Sequence, residues 1–202
     1  KAAGADYHLS VVPYYNKPTQ DGLYAHFRTI AEAVALPMIV YNVPGRTGYD
    51  LLPETVAVLS SHENIIGLKE SVADESRWQA LYPLASPHFS LLSGDDQTFV
   101  SSMAGGAHGV ISVASNAVPA TFARICRYIS EHNFDAAQAL DERLQELYAF
   151  LGVEPNPVPV KAIMKLMGFG HGLRLPLLPL SDDHTGKADE MADLCKTIEQ
   201  SM

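Results

Sequence analysis

"NIIGLKES", residues 64–71, decides how the chain is read. Ile65, Ile66, Gly67 and Leu68 form a short, continuously apolar run, the pattern of a strand covered on both faces. The run ends in Lys69 and Glu70, and a lysine is costly to bury as an ion. Either its side chain reaches water, or the position holds a lysine that has given up its proton. Adjacent strand residues point to opposite faces, so Glu70 is poorly placed to pair with Lys69. A lysine attacks carbonyl carbon only as the neutral amine. An ordinary lysine titrates near 10.4, so neutrality at pH 7 costs roughly 4.6 kcal/mol. Burial at an apolar strand end is able to supply that.

The same pattern repeats on either side. Strand-like runs fall at Tyr7–Val12, Pro37–Val43, Asn64–Lys69, Phe89–Ser93 and Gly109–Val113. Helical patterns at Asp21–Ala35, Pro53–Ser61, Asp74–Ala85 and Asp95–Gly105 alternate with them. "KAAGAD" (1–6) reads as the last turn of a further helix running into the first strand. Strand, loop and helix recur every 20–30 residues or so, as in parallel βαβ units. After the fifth run only helices follow, at Pro119–Glu131, Asp135–Leu151, Pro159–Met167 and Lys187–Gln200. Five strands cannot close an eight-stranded (β/α)₈ barrel. The expectation is therefore an incomplete TIM barrel holding about the last five units, residues 1–132, followed by a C-terminal helical domain, residues 133–202. An open doubly wound sheet is the rival, but no GxGxxG fingerprint follows any strand.

Composition narrows the function classes. The 202 residues are 47% hydrophobic and 18% charged, with a net charge of −9. That suits a globular fold and not a nucleic-acid surface. No apolar run approaches the ~18 residues of a membrane span, and no signal peptide opens the sequence. Cys126 and Cys195 stand alone, so neither a disulfide framework nor a zinc site is expected, and a reducing, cytoplasmic setting fits. The eight histidines show no HxH or HExxH pairing, so no metal is expected.

In barrels of this kind chemistry gathers at the carboxyl ends of the strands. Those ends read "PYYNKP" (13–18), "YNVPGRTG" (41–48), "KES" (69–71), "SGDD" (93–96) and "SVAS" (112–115). Tyr41 is either a proton relay beside the lysine or an aromatic plug. Tyr14 and Tyr15 are successive and so face opposite ways. Arg46, in a glycine-flanked loop, either grips a carboxylate or closes a loop salt bridge. Asp95 and Asp96 read as a helix cap. Lys161, in "PNPVPVK", lies on an ordinary helix face and is assigned no chemistry.

Taken in order, "PYYNKP", "YNVPGRTG", "GLKE", "LLSGDD", "GVISV" and "EPNPVPVK" resemble the dihydrodipicolinate synthase family of pyruvate-dependent Schiff-base aldolases. The likeness runs along essentially the whole chain. It implies a (β/α)₈ barrel with a helical C-terminal domain, usually a homotetramer of tight dimers. It further implies condensation of pyruvate with L-aspartate 4-semialdehyde, without a cofactor. By the same resemblance Lys69 forms the imine and Tyr41 donates and accepts protons. Tyr15 relays protons across a tight-dimer interface, and Arg46 holds the carboxylate of the aldehyde. Ile111 and Gly94 line the pyruvate pocket, and Tyr14 sits at an inter-subunit pocket where lysine inhibits some members. The family's "GTTGE" motif is absent, which points to a fragment or to a product incompetent alone. N-acetylneuraminate lyase and keto-deoxy sugar acid aldolases share the lysine and tyrosine. "PGRTG" favours the synthase, because an arginine there suits a short substrate carrying its own carboxylate. A non-catalytic fragment is the reading from a different class.

Overall fold

The computed structural model describes residues 2–202; Lys1, the first residue of the expected helical end, lies outside them. Residues 2–3 form a turn rather than helix, followed by Gly4 at φ 84°. The described residues divide into two compact units, one running up to Ile111 and the other Ser112–Met202.

The first unit is built on a parallel sheet of five strands, β1 (His8–Val11), β2 (Met38–Asn42), β3 (Ile65–Glu70), β4 (Ser90–Ser93) and β5 (Gly109–Val110), paired in chain order. Between them lie helices α1 (Gln20–Ala33), α2 (Pro44–Thr47), α3 (Pro53–Leu59), α4 (Glu75–Leu81) and α5 (Phe99–Gly105). Their starts follow local chemistry. Thr19 Oγ1 accepts from Gly22 N–H and Asp74 from Arg77 N–H, while Pro44 and Pro53 open α2 and α3 where no N–H is needed. Leu23, Phe27 and Ala31 of α1, Val56 and Leu59 of α3, and Trp78 and Leu81 of α4 pack with Met38, Val40, Ile65, Leu68 and Leu91 of the sheet. This covers one face of the sheet. The other face carries Leu9, Val11, Ile39, Tyr41, Lys69 and Leu92, none of them fully buried.

β3 departs from strict alternation. Ile65 and Leu68 both enter the core although they are three residues apart, a spacing a regular strand forbids. The register explains it: Met38 pairs with Ile65, but Ile39 pairs with Gly67, leaving Ile66 as the extra residue of a bulge. The glycine that follows is there for space. A Cβ on Gly67 would stand 2.6 Å from the Ser90 carbonyl oxygen of β4.

Several expected boundaries shift for identifiable reasons. The "PGRT" stretch, read as loop, is the single helical turn α2, closed by Gly48 at φ 71°. α5 starts at Phe99, not Asp95, because the Asp95 carboxylate accepts from Thr98 N–H and Oγ1 and holds a turn ahead of the helix. β5 ends at Val110 rather than Val113. Beyond it Ser112 Oγ accepts from Ser115 N–H and the chain tightens into a 3₁₀ turn at Ala114–Asn116.

The second unit holds α6 (Pro119–Ser130), α7 (Phe134–Glu142), α8 (Gln145–Leu151), α9 (Val158–Leu166) and α10 (Thr185–Gln200). The helix expected over Asp135–Leu151 is two helices. Arg143 and Leu144 break the pattern where the buried Asp141 carboxylate accepts from Tyr148 Oη at 2.8 Å and from Gln145 Nε2 at 3.2 Å. Glu199, near the end of α10, accepts from Ala120 N–H, Thr121 N–H and Thr121 Oγ1 and so neutralises the amino end of α6. α6 packs with α7 and α10, within the unit that begins at Ser112. Burial pushes the Cys195 thiol up to about 11, and Cys126 moves the same way.

Gly67→Ala is expected to lower the stability of the first unit by about 2–3 kcal/mol, since the added methyl meets backbone that cannot rotate away; a fall in the urea midpoint at unchanged slope is the check.

Candidate active site

The register of β2 with β3 places Tyr41 opposite Lys69 and Asn42 opposite Glu70. Alternation then sorts the four side chains into two pairs, one on each face of the sheet.

On the open face, Lys69 Nζ stands 4.1 Å from the centroid of the Tyr41 ring. The amine is thus held against an aromatic face, with the phenol on the same ring. Gly94, just beyond β4, lets the lysine lie flat. A Cβ there would be 2.8 Å from Lys69 Cε and 3.1 Å from Cγ, and would collide with Ser71 Oγ. Ser71 Oγ, two residues beyond the lysine, is buried with no hydrogen-bond partner among the described residues. The ladder continues past the strand ends through Ser71 N–H to Asn42 O (3.0 Å), Gly94 N–H to Glu70 O (2.7 Å) and Ile111 N–H to Ser93 O (2.8 Å).

On the covered face, Glu70 is 1% exposed. Its carboxylate accepts from Asn42 Nδ2 at 3.1 Å to each oxygen and from Val72 N–H at 2.9 Å, and Arg77 Nε lies 3.9 Å away. Arg77 also pairs with Asp50 and donates to Leu51 O, while Asn42 Nδ2 donates to Asp50 Oδ1 at 2.7 Å. Burial pushes the Glu70 carboxyl up to about 7, outweighing the hydrogen bonds from Val72 and Asn42 and the charge of Arg77, which all favour ionisation.

The structure brings Lys69, Tyr41 and Gly94 together, and sets Ile111 at the carboxyl end of β5. Arg46 is exposed on α2, immediately beyond β2. Tyr14 and Tyr15 are 71% and 91% exposed in the segment after β1, so neither is packed against the lysine. Asn16 N–H donates to Tyr14 O around Tyr15, whose φ is 72°, a tight turn rarely adopted by a non-glycine residue. The sequence reading did not foresee Ser71 or the Asn42, Asp50 and Arg77 cluster. The one available signal was the alternation that turned Glu70 into the core, where a carboxylate requires donors. Among the described residues no group of three His, Cys, Asp or Glu side chains is arranged to hold a metal ion.

With this geometry in place, comparison with known proteins is decisive at the level of family. The model of the dihydrodipicolinate synthetase family matches residues 1–195, and the chain belongs to that family. It is 52% identical over 191 residues to a 4-hydroxy-tetrahydrodipicolinate synthase of Stenotrophomonas maltophilia (strain K279a), covering 95% of this chain and 64% of that relative. The chain thus spans a little under two thirds of the length of that curated relative. The crystal structure of dihydrodipicolinate synthase from Aquifex aeolicus superposes with a TM-score of 0.91 at 41% identity, over 95% of this chain and 66% of that one. The chloride-inhibited enzyme from Acinetobacter baumannii, complexed with pyruvate, gives 0.91 at 40% identity over 96% and 67%. The five-stranded parallel sheet with its helices is accordingly part of a (β/α)₈ barrel fold.

Glu70 makes stability depend on pH. Its folded value near 7 lies above the ordinary 4.5, so the folded chain holds the proton more tightly than the unfolded one. The stabilisation is complete below about 4.5 and is lost as pH rises to about 7, a fall of about 3 kcal/mol from this group. Urea unfolding across that window is expected to show this slope, and Glu70→Gln to remove it.

Proposed function

We propose that this chain carries the imine-forming part of a 4-hydroxy-tetrahydrodipicolinate synthase, condensing pyruvate with L-aspartate 4-semialdehyde in lysine and diaminopimelate biosynthesis. The observation that carries the reading is the Lys69 amine lying 4.1 Å over the Tyr41 ring at the carboxyl ends of parallel strands, in a chain of this family.

The Lys69 nitrogen adds its lone pair to the ketone carbon of pyruvate, and the carbinolamine loses water to give an imine. Loss of a methyl proton turns the imine into an enamine, and the former methyl carbon attacks the aldehyde carbon of the second substrate. The aldehyde oxygen takes up a proton as the new carbon–carbon bond forms. The amino group of that substrate then adds to the imine carbon, the bond to Lys69 breaks, and the ring closes as the lysine leaves. Tyr41, on the same face as Lys69, moves the protons of carbinolamine formation and collapse. Tyr15 extends the relay, Arg46 grips the carboxylate of the aldehyde, and Ile111 and Gly94 bound the pyruvate pocket. The lysine nitrogen serves as the electron sink, so the scheme calls for no organic cofactor.

The exposure of Tyr14 and Tyr15 supports a role for that segment at a contact between copies, with Tyr15 reaching a neighbouring site and Tyr14 an inter-subunit pocket. We read the assembly as a homotetramer, a dimer of tight dimers, in the cytoplasm. No helix among the described residues is long and apolar enough to cross a membrane.

Borohydride reduction in the presence of pyruvate is expected to fix the carbon skeleton of pyruvate on Lys69, located by peptide mass mapping. Absence of the adduct, or its spread over exposed lysines such as Lys161, would leave the non-catalytic reading. Gly94→Ala is expected to slow trapping by roughly a hundredfold, because the methyl displaces the lysine stem from its place.

A further inference from the structure

We propose that Glu70 is a positioning residue for Lys69: tied to Asn42 on the covered face, its carboxylate holds the tips of β2 and β3 in the register that sets the amine over Tyr41. The proposal rests on the imine-forming role of Lys69 but concerns a group that touches neither substrate nor reacting atoms.

The two faces of the sheet are unequal. On the open face the approach of Nζ to the ring joins the side chains of Tyr41 and Lys69, and a long lysine stem has many rotamers. On the covered face the next residues along, Asn42 and Glu70, are joined by side-chain hydrogen bonds at 3.1 Å to both carboxylate oxygens. Because these are register partners, whatever fixes Asn42 against Glu70 also fixes Tyr41 against Lys69. The tie is anchored from outside the sheet. Arg77, from α4, faces both Glu70 and Asp50, and Asn42 Oδ1 accepts from Leu51 N–H at 3.0 Å. Val72 N–H, donating to Glu70 Oε1 at 2.9 Å, turns the chain directly after the lysine-bearing tip.

The tie is built for an anion. Asn42 Nδ2, Val72 N–H and Arg77, the hydrogen-bonding and ion-pair neighbours of Glu70, are all donors. A protonated Glu70 presents a donor of its own to this ring and accepts less strongly, so its hold on Asn42 and Val72 weakens. The charged groups facing it are Arg77, from α4, and Asp50, from the segment after α2; its register partners Asn42 on β2 and Ser93 on β4 are neutral. Positioning of Lys69 therefore weakens as Glu70 takes up its proton, which falls near neutrality.

The test uses the chain labelled with ¹³C at lysine Cε. The Lys69 ε-CH₂ resonance, assigned by its loss in Lys69→Arg, is expected upfield at mildly alkaline pH through the Tyr41 ring current. It should move toward the ordinary lysine position in Glu70→Gln and in Asn42→Ala, with far-UV circular dichroism unchanged. In the parent it should move the same way on acidification, with a midpoint near neutrality, and Glu70→Gln should show no such midpoint. A resonance that stays upfield in both variants overturns the proposal. If the variants do not fold, the parent titration decides, and a flat profile through neutrality overturns it equally. Pyruvate and borohydride trapping on the same samples should slow roughly tenfold or more in Glu70→Gln. An absence of adduct in the parent would remove the imine reading, while the resonance still judges the positioning alone.

Discussion

The pairing of β2 with β3 is the constraint from which the site follows. A parallel ladder fixes neighbours residue by residue, and the two-residue repeat of a strand then assigns each neighbour pair to a face. Here one step along the ladder separates a reactive amine against a phenol from a carboxylate against an amide. The first pair belongs to the open face and has freedom; the second is sealed under helices and has almost none. A protein needs both. The covered pair gains its rigidity because a buried carboxylate without donors is far more costly than one that is satisfied, so the sequence around it supplies Asn42, Val72 and Arg77 together.

Much of this was legible before any coordinates. The five strands fell on the runs expected for them, with β5 stopping short at Val110, and Lys69 announced itself as a charge ending such a run. The separation of Glu70 from Lys69 followed from alternation alone. What the sequence concealed was of two kinds. Local competition by side chains moved boundaries: Asp95 delays α5, and the groups gathered on Asp141 accompany the break between α7 and α8. Long-range partners were hidden altogether. Arg77 comes from α4, Asp50 from beyond α2 and Asn42 from β2, and no spacing rule links three segments to one carboxylate. The exposure of Tyr15, in a backbone conformation few residues accept, was equally beyond a reading of "PYYNKP".

Membership of the dihydrodipicolinate synthetase family sets these observations in a frame without replacing them. The matched portion keeps Lys69, its aromatic neighbour and the covered anchor within the unit that ends at Ile111. The helical unit is organised by different means, with Glu199 of α10 closing the amino end of α6 much as a phosphate would. Each unit thus spends a buried or half-buried carboxylate on backbone and amide donors, one to fix strand tips and the other to join helices.

The bulge at Ile66 gives β3 one residue of slack. Upstream of it the chain keeps step with the core through Ile65, and downstream it keeps step with the reactive tip, so the two ends of the strand are set independently. A homologue lacking that single position would form an unbroken strand with the same tip and the same hydrophobic anchor. A one-residue gap at this point would leave the tip in register with β2, whereas the same gap placed three residues later would exchange an amine for a carboxylate.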